Sequence, residues 1–198
     1  MTSSTLFYHI QSTTTTPCSL AKEEYTRAIE DWLCSGCTTH RPGDTGIDIQ
    51  IQETVPANPP MNFVSGTGIG LAKLSFLESL GLEAIQQGLR LGNLFGPDRK
   101  SLDDWVTFRG LRRLIVRGSR SVSWRRCSTC GRVVYFAMGK RYLYPKPDDN
   151  TGVFESDLFG IIIRADLVRN LQIDKEPNLR IDELRVPKVA ADGLGVLE

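Results

Sequence analysis

The stretch CSTCGRVVYF (residues 127–136) places two cysteines three positions apart, ahead of a glycine and a run of β-branched and aromatic residues. The turn between cysteines at this spacing directs both thiolates towards one metal ion, as in half of a structural zinc site. The stretch WLCSGC (residues 32–37) supplies a second pair at the same spacing. We therefore predict one structural zinc on Cys34, Cys37, Cys127 and Cys130.

Eighty-nine residues lie between Cys37 and Cys127, whereas small zinc ribbons place about 15 to 20 residues between their pairs. The zinc would therefore join the end of a first helix to the start of a later strand. Two alternatives stay open: the pairs are ordinary reduced cysteines, or His40 replaces one cysteine as a ligand. A redox pair is less favoured because neither motif lies between a strand and a helix start. We interpret Cys18 and His9 as residues of the fold.

The chain has 198 residues, of which 40% are hydrophobic and 24% charged. This length is enough to bury a core, and we predict a single domain over residues 1–190 with a frayed tail at 191–198. An odd number of cysteines, five, fits metal binding better than a disulfide framework. No run of 18 apolar residues occurs and the N-terminus lacks a signal-peptide pattern, so we expect a cytoplasmic protein without a membrane partner.

Hydrophobic periodicity predicts an α+β fold, a mixed or antiparallel sheet with a few helices, closed by the zinc-binding pair of cysteine turns. The clearest strand is IDIQIQE (residues 47–53), where isoleucines alternate with polar residues. Further predicted strands are 5–11, 105–118 (one long or two short strands), 158–163 and 178–186. Predicted helices are 20–33 with Ser19 as N-cap, 74–89 split at Gly81, and 166–171. Residues 132–138 and 141–144 are predicted to form a hairpin.

The sequence holds no recognisable catalytic motif: HExxH, GxSxG and the phosphate-binding P-loop are all missing. The stretch SGTGIG (residues 65–70) lacks the lysine of a P-loop and is interpreted as a glycine-rich turn. Asp103 and Asp104 are adjacent acids and are interpreted as solvated. We therefore expect a protein that is not an enzyme.

Charge is distributed unevenly, because residues 105–147 hold eleven arginines and lysines and no acid, while the rest of the chain carries −10. Aromatic residues interleave with the basic ones, which is a pattern of nucleic-acid binding. Three interpretations stay open: a solvated basic sheet face that pairs with acids elsewhere, a docking face for an acidic protein, and a nucleic-acid interface. The last would make the chain a zinc-containing nucleic-acid-binding protein.

With these features in order, the sequence resembles the double-CXXCG motif immunity proteins of bacterial toxin–immunity systems. The resemblance rests on the first cysteine pair, the central SGTGIG, the complete second motif Cys127-Ser-Thr-Cys130-Gly131-Arg132, and the closing SDLFGIIIRADLVRNLQ and NLRIDELRV. It implies a non-enzymatic protein that binds and neutralises one cognate protein toxin, with zinc as a structural element. It names no residues that contact the toxin.

The first motif departs from the family pattern, because Thr38 stands where a glycine would follow Cys37. A threonine is acceptable there only if the backbone avoids positive φ, the region that glycine enters freely. The toxin's identity, the contact surface and the oligomeric state are not indicated by the sequence.

Overall fold

The structure is a computed structural model that describes residues 6–118, 122–130, 132–136, 141–144, 151–169, 171 and 178–184. These residues form thirteen strands and four helices. The helices are α1 (Lys22–Asp31), α2 (Leu74–Ser79), α3 (Leu82–Gly88) and α4 (Ala165–Val168). The strands are β1 (Phe7–Ser12), β2 (Ile49–Gln50), β3 (Met61–Phe63), β4 (Gly70–Lys73), β5 (Leu89–Phe95), β6 (Ser101–Gly110), β7 (Arg113–Gly118), β8 (Val122–Arg126), β9 (Val133–Phe136), β10 (Arg141–Tyr144), β11 (Val153–Ser156), β12 (Ile161–Arg164) and β13 (Leu179–Leu184).

A six-stranded sheet has the order β10-β7-β11-β12-β1-β13. Its pairs are antiparallel except for β11 and β7, which run parallel, so the sheet is mixed. The two edge strands, β10 and β13, also approach each other, so the sheet curls around its concave face. One apolar cluster fills that face with side chains from every strand: Phe7, Leu114, Val116, Leu143, Phe154, Ile162 and Leu184.

A five-stranded sheet has the order β2-β5-β6-β4-β3 and packs one face against α1. The predicted alternation in IDIQIQE is confirmed, because Ile47, Ile49 and Ile51 are all at most 3% exposed. Strand β2 covers Ile49–Gln50 and pairs with β5, and the next residue, Ile51, forms a bridge with Leu20. The chain before α1 covers its other side, where Ala21 donates its backbone N–H to Gln50 O at 3.0 Å.

Helices α2 and α3 lie between the two sheets. The prediction of two short helices over residues 74–89 is confirmed as far as Gly88, and Leu89 begins β5. Gly81 separates them with a φ of 94°, a left-handed conformation that favours glycine. The cluster they share takes Met61, Ala72 and Phe108 from the five-stranded sheet, and Ile10, Ile161 and Ile163 from the six-stranded sheet. The α+β prediction with a mixed sheet is therefore confirmed.

Strands β8 and β9 form a separate two-stranded sheet, and the second cysteine motif is the turn that joins them. The predicted hairpin between residues 132–138 and 141–144 is wrong. Strand β9 pairs with β8, while β10 pairs with β7, where Leu143 lies opposite Val116 in the curled sheet. Burial of Leu143 in the apolar cluster decides this pairing, and no local pattern predicts it.

The predicted N-cap at Ser19 is also wrong, because Ala21 occupies the N-cap position of α1. Ser19 instead belongs to an extended segment beside β2, where its backbone oxygen accepts a bond from Gln52 N at 2.9 Å. The predicted tail, 191–198, lies outside the described residues. In the part of the chain that the structure describes, no helix has both the length and the apolar character to cross a membrane.

Candidate metal centre

The first cysteine turn follows α1 directly. Leu33 and His40 form an antiparallel bridge that flanks it, and Cys34 donates its backbone N–H to Thr39 O at 3.0 Å. The second turn, at the tip of the β8–β9 hairpin, closes in the same register, since Cys127 donates its N–H to Arg132 O at 2.8 Å. In both cases the acceptor lies five residues after the first cysteine. The two motifs therefore fold into the same kind of turn.

The four cysteines of these turns meet, as predicted. Sγ of Cys34 lies 3.7 Å from Sγ of Cys127, and Sγ of Cys37 lies 3.7 Å from Sγ of Cys130. All four sulfurs lie within 4.8 Å of one another. A tetrahedral site with metal–sulfur bonds of about 2.3 Å requires sulfurs about 3.8 Å apart. The cluster is therefore positioned to bind one metal ion.

Backbone amides of each turn point at its first sulfur. The amides of Cys130 and Thr129 lower the pKa of Cys127 to about 6. Burial opposes ionisation of Cys34, but the amides of Gly36 and Cys37 hold its pKa below the ordinary value. Desolvation and hydrogen bonds to the neighbouring sulfurs raise the pKa of Cys130 to about 12. Amide hydrogen bonds therefore favour the thiolate form of Cys34 and Cys127.

Gly36 lets the two turns approach each other. A Cβ at this position would lie 2.3 Å from Oγ1 of Thr129 and 3.1 Å from Sγ of Cys127. Any side chain here would push the turns apart and lengthen the distances between the sulfurs. The glycine between the first pair of cysteines is thus a requirement of the cluster.

Thr38 adopts a φ of 55°, in the left-handed region. The backbone at Thr38 therefore does not avoid positive φ, which was the condition for a threonine here. A β-branched residue occupies a conformation that favours glycine. Its Oγ1 donates a bifurcated hydrogen bond to Cys37 O at 2.8 Å and, across the turns, to Gly66 O at 2.9 Å. This bond joins the first cysteine turn to the SGTGIG segment, which is a turn as predicted and has positive φ at Gly66 and Gly68.

His40 does not lie among the sulfurs as a ligand. Its ring is buried, with Nδ1 3.1 Å from Thr67 O and Nε2 2.7 Å from Oε1 of Glu155. Since a carbonyl oxygen only accepts, Nδ1 donates to Thr67. His40 therefore fixes the chain that leaves the first turn.

Glu155 is the centre of this buried network and was not singled out from the sequence. Oε1 of Glu155 lies 2.8 Å from Nη2 of Arg113, and Oε2 accepts the Gly110 N–H at 2.8 Å. Burial alone would raise the pKa of Glu155, but His40 and Arg113 lower it to about 2. The only local signal is an acid inside an apolar strand, Val153-Phe154-Glu155, which indicates a buried carboxylate that must have partners.

Three arginines of the basic segment also have partners within the protein. Arg109 donates to the backbone oxygens of Arg41 and Pro42, Arg113 binds Glu155, and Arg132 donates to Oγ1 of Thr39 and to Asp157 O. Arg109 and Arg132 thereby fix the first cysteine turn, the loop after it and the β11–β12 turn, and Arg113 also donates to His40 O at 2.9 Å. Part of the basic pattern is thus explained by internal structure.

Asp157 lies beside Arg132 in the β11–β12 turn. Its Oδ1 accepts the Val116 N–H at 2.8 Å, and burial raises the pKa of its carboxyl to about 6. The remaining candidates lie apart from the sulfurs. His9 and Cys18 are buried in the core, while Asp103 and Asp104 are exposed on β6.

Comparison with models of known protein families gives no match, and comparison with curated proteins gives none either.

Proposed function

We propose that this protein is a non-enzymatic immunity protein that binds and blocks one cognate bacterial toxin, and that zinc is the metal its four cysteines hold. The observation that carries the proposal is the convergence of two equivalent cysteine turns into one cluster, with Sγ atoms 3.7 Å apart across the turns. This is the arrangement that the family resemblance implies.

Zinc fits the donor set. Four thiolates in a tetrahedron are soft ligands of the kind that favour zinc over magnesium, calcium or manganese. Bound zinc would supply four metal–sulfur bonds and no open position for water or substrate, so its role is structural. Cys34 and Cys37 would hold it to the end of α1, and Cys127 and Cys130 would hold it to the tip of the hairpin.

The immunity part rests on the resemblance, and the neighbourhood of the cluster supports it. The sequence segments that carry the resemblance are in contact: Thr38 binds Gly66 in SGTGIG, and Arg132 of the second motif binds Asp157 in the DLFG turn. They form one structural unit around the sulfurs. We expect the toxin to be neutralised by binding alone, because a closed metal site offers no reactive position.

The second candidate, nucleic-acid binding by residues 105–147, has weaker support. Three of the eleven basic side chains in that segment are used inside the protein, by Glu155 and by backbone and hydroxyl oxygens. A nucleic-acid interface needs such side chains free to contact phosphates.

The test is protection of a bacterial host. Capture with the tagged protein from a nuclease-treated lysate identifies a candidate toxin, whose gene is then expressed with and without this chain. We expect wild type and the Cys18→Ala variant to restore growth, and the double variant Cys34→Ser/Cys127→Ser to fail. Growth arrest that wild type does not relieve overturns the immunity role. Elemental analysis of the purified protein tests zinc separately, and less than one zinc per chain overturns that part.

A further inference from the structure

The sulfur cluster has a buried side and an open side. Cys34 and Cys127 are 2% and 7% exposed, while Cys37 is half-buried and Cys130 is exposed. A small oxidant in solution therefore reaches the outer pair, Cys37 and Cys130, before it reaches the inner pair.

The outer pair spans the two turns. Cys37 belongs to the turn after α1 and Cys130 to the hairpin tip, and their sulfurs are 3.7 Å apart. A disulfide has a sulfur–sulfur distance of about 2.0 Å, so less than 2 Å of sulfur movement separates these thiols from a bond. Ser128 and Thr129, which precede Cys130 in its turn, are exposed as well.

We propose that Cys37 and Cys130 are a peroxide-sensitive modification site, at which oxidation forms a disulfide between the two cysteine turns. The inference rests on the metal site of the proposed function, and its oxidant is a hydroperoxide such as hydrogen peroxide.

The two thiolates supply the two electrons that reduce one peroxide. Metal coordination would make Cys130 a thiolate, although the pKa of its free thiol is raised. Sγ of Cys130 then attacks one peroxide oxygen, the O–O bond breaks, and the leaving hydroxide takes a proton to become water, so Cys130 becomes a sulfenic acid. Sγ of Cys37 then attacks the Cys130 sulfur, the S–O bond breaks, and the second hydroxide leaves as water after protonation. Two thiolates lose two electrons in total, and one peroxide is reduced to two waters.

Oxidation would replace the metal by a disulfide as the link between the two cysteine turns, and the turns would stay in contact. Only Cys34 and Cys127 would remain as metal ligands, so the metal is released, but the new disulfide joins the same two turns that the metal joined. Oxidation should therefore leave the β8–β9 hairpin attached to α1. Removal of metal by a chelator under reducing conditions should loosen the hairpin, because the bonds of Arg132 to Thr39 and Asp157 then act without a link between the sulfurs.

The experiment treats the metal-loaded full chain with hydrogen peroxide and uses a chelator-treated, reduced sample for comparison. We expect release of one metal ion per chain and loss of two of the five thiols, with peptide mapping under non-reducing conditions joining Cys37 to Cys130. Cys18, which is fully buried, should stay a thiol and is the internal control. Hydrogen exchange of β8 and β9 should stay slow after oxidation and become fast after chelation.

A disulfide within one turn, Cys34 to Cys37 or Cys127 to Cys130, overturns the proposal, as does overoxidation of Cys130 without a disulfide. Exchange in the oxidised protein as fast as in the chelated protein also overturns it. Metal content is measured before peroxide is added, so absence of zinc contradicts the proposed function alone. In that case the disulfide map of the metal-free protein still decides the pairing.

Discussion

Cys34 and Cys127 are 93 positions apart in the chain, yet their Sγ atoms lie 3.7 Å apart in the interior of the sulfur cluster. This contact brings the C-terminal end of α1 to the tip of the β8–β9 hairpin. An isolated two-stranded hairpin is only marginally stable in water. The hairpin position therefore depends on the sulfur cluster together with the bonds of Arg132 to Thr39 and Asp157.

The variant Cys34→Ser tests this dependence. Loss of one of four thiolates should reduce bound metal from one equivalent to well below half, and the melting temperature should fall by about 10 °C as the binding free energy is lost. Elemental analysis and thermal unfolding measure the two effects. Cys18→Ala is the matched control. Cys18 is buried away from the cluster, so this variant should bind as much metal as wild type. Unchanged metal in Cys34→Ser contradicts the four-cysteine site.

Gly36→Ala should loosen the cluster without removing a ligand. The added methyl meets Oγ1 and Cβ of Thr129 at 2.3 and 2.8 Å, and overpacking of this kind costs about 1–3 kcal/mol. The double variant Gly36→Ala/Thr129→Gly removes the clash and should recover at least half of that loss. Chemical denaturation of the four proteins in the cycle measures the coupling. Simple additivity of the two substitutions would show that the clash is not the cause.

Thr38 allows backbone strain to be separated from hydrogen bonding. Its left-handed φ costs roughly 1–2 kcal/mol, and its bond to Gly66 O returns about 1 kcal/mol. Thr38→Val keeps the strain and loses the bond, so it should unfold about 1 kcal/mol more easily than wild type. Thr38→Gly loses both, so it should be more stable than Thr38→Val and stay within about 1 kcal/mol of wild type. Equal stability of the two variants in urea would refute the strain argument.

Glu155→Gln should lower stability by about 3–5 kcal/mol at neutral pH, because His40 and Arg113 lose a buried carboxylate partner. The folded pKa is depressed, from 4.5 to about 2, so the carboxylate's contribution is fully present above pH 4.5 and is lost between pH 4.5 and 2. The difference from wild type should shrink across that window in urea titrations. Glu183→Gln, at an exposed position of β13, is the control and should show no such loss. A difference that is independent of pH contradicts the assignment.

Asp157→Asn should have the opposite effect. The folded pKa of Asp157 is raised from 3.8 to about 6, so the folded protein holds its proton more tightly and the ionised form costs stability above pH 6. The amide has no charge and can still accept the Val116 N–H. We expect a gain of roughly 1–3 kcal/mol at pH 7.5 that disappears near pH 4. Asp104→Asn, exposed on β6, should give no gain, and an equal gain at both pH values for Asp157→Asn would refute burial as the cause.

The four sulfurs were predictable because their chemistry is local: a Cys-x-x-Cys spacing sets the direction of two sulfurs within one turn. The alternating isoleucines of residues 47–53 and the helix break at Gly81 were predictable for the same reason, since each depends on a short-range pattern. Each of these features can be predicted from a few neighbouring residues alone.

The wrong or missing parts depend on distant segments. The predicted partner of β9 is wrong. The strand that follows it in sequence, β10, pairs with β7 instead, because Leu143 is buried against Val116 there. The network of His40, Arg113 and Glu155 draws on three separate segments, so no single motif contains it. A count of charges likewise does not predict that Arg109, Arg113 and Arg132 form hydrogen bonds inside the protein.

The separation between the two cysteine turns also sets an order of events during synthesis. A ribosome adding about 5–20 residues per second needs roughly 5 to 20 s to advance over the 93 positions from Cys34 to Cys127. During that interval the nascent chain offers only two of the four donors, which hold a metal far less firmly than the complete set. A chain that stops short of the hairpin tip never acquires the other two. Metal retention would therefore be a property of chains translated past the second turn, and it would separate them from prematurely terminated products.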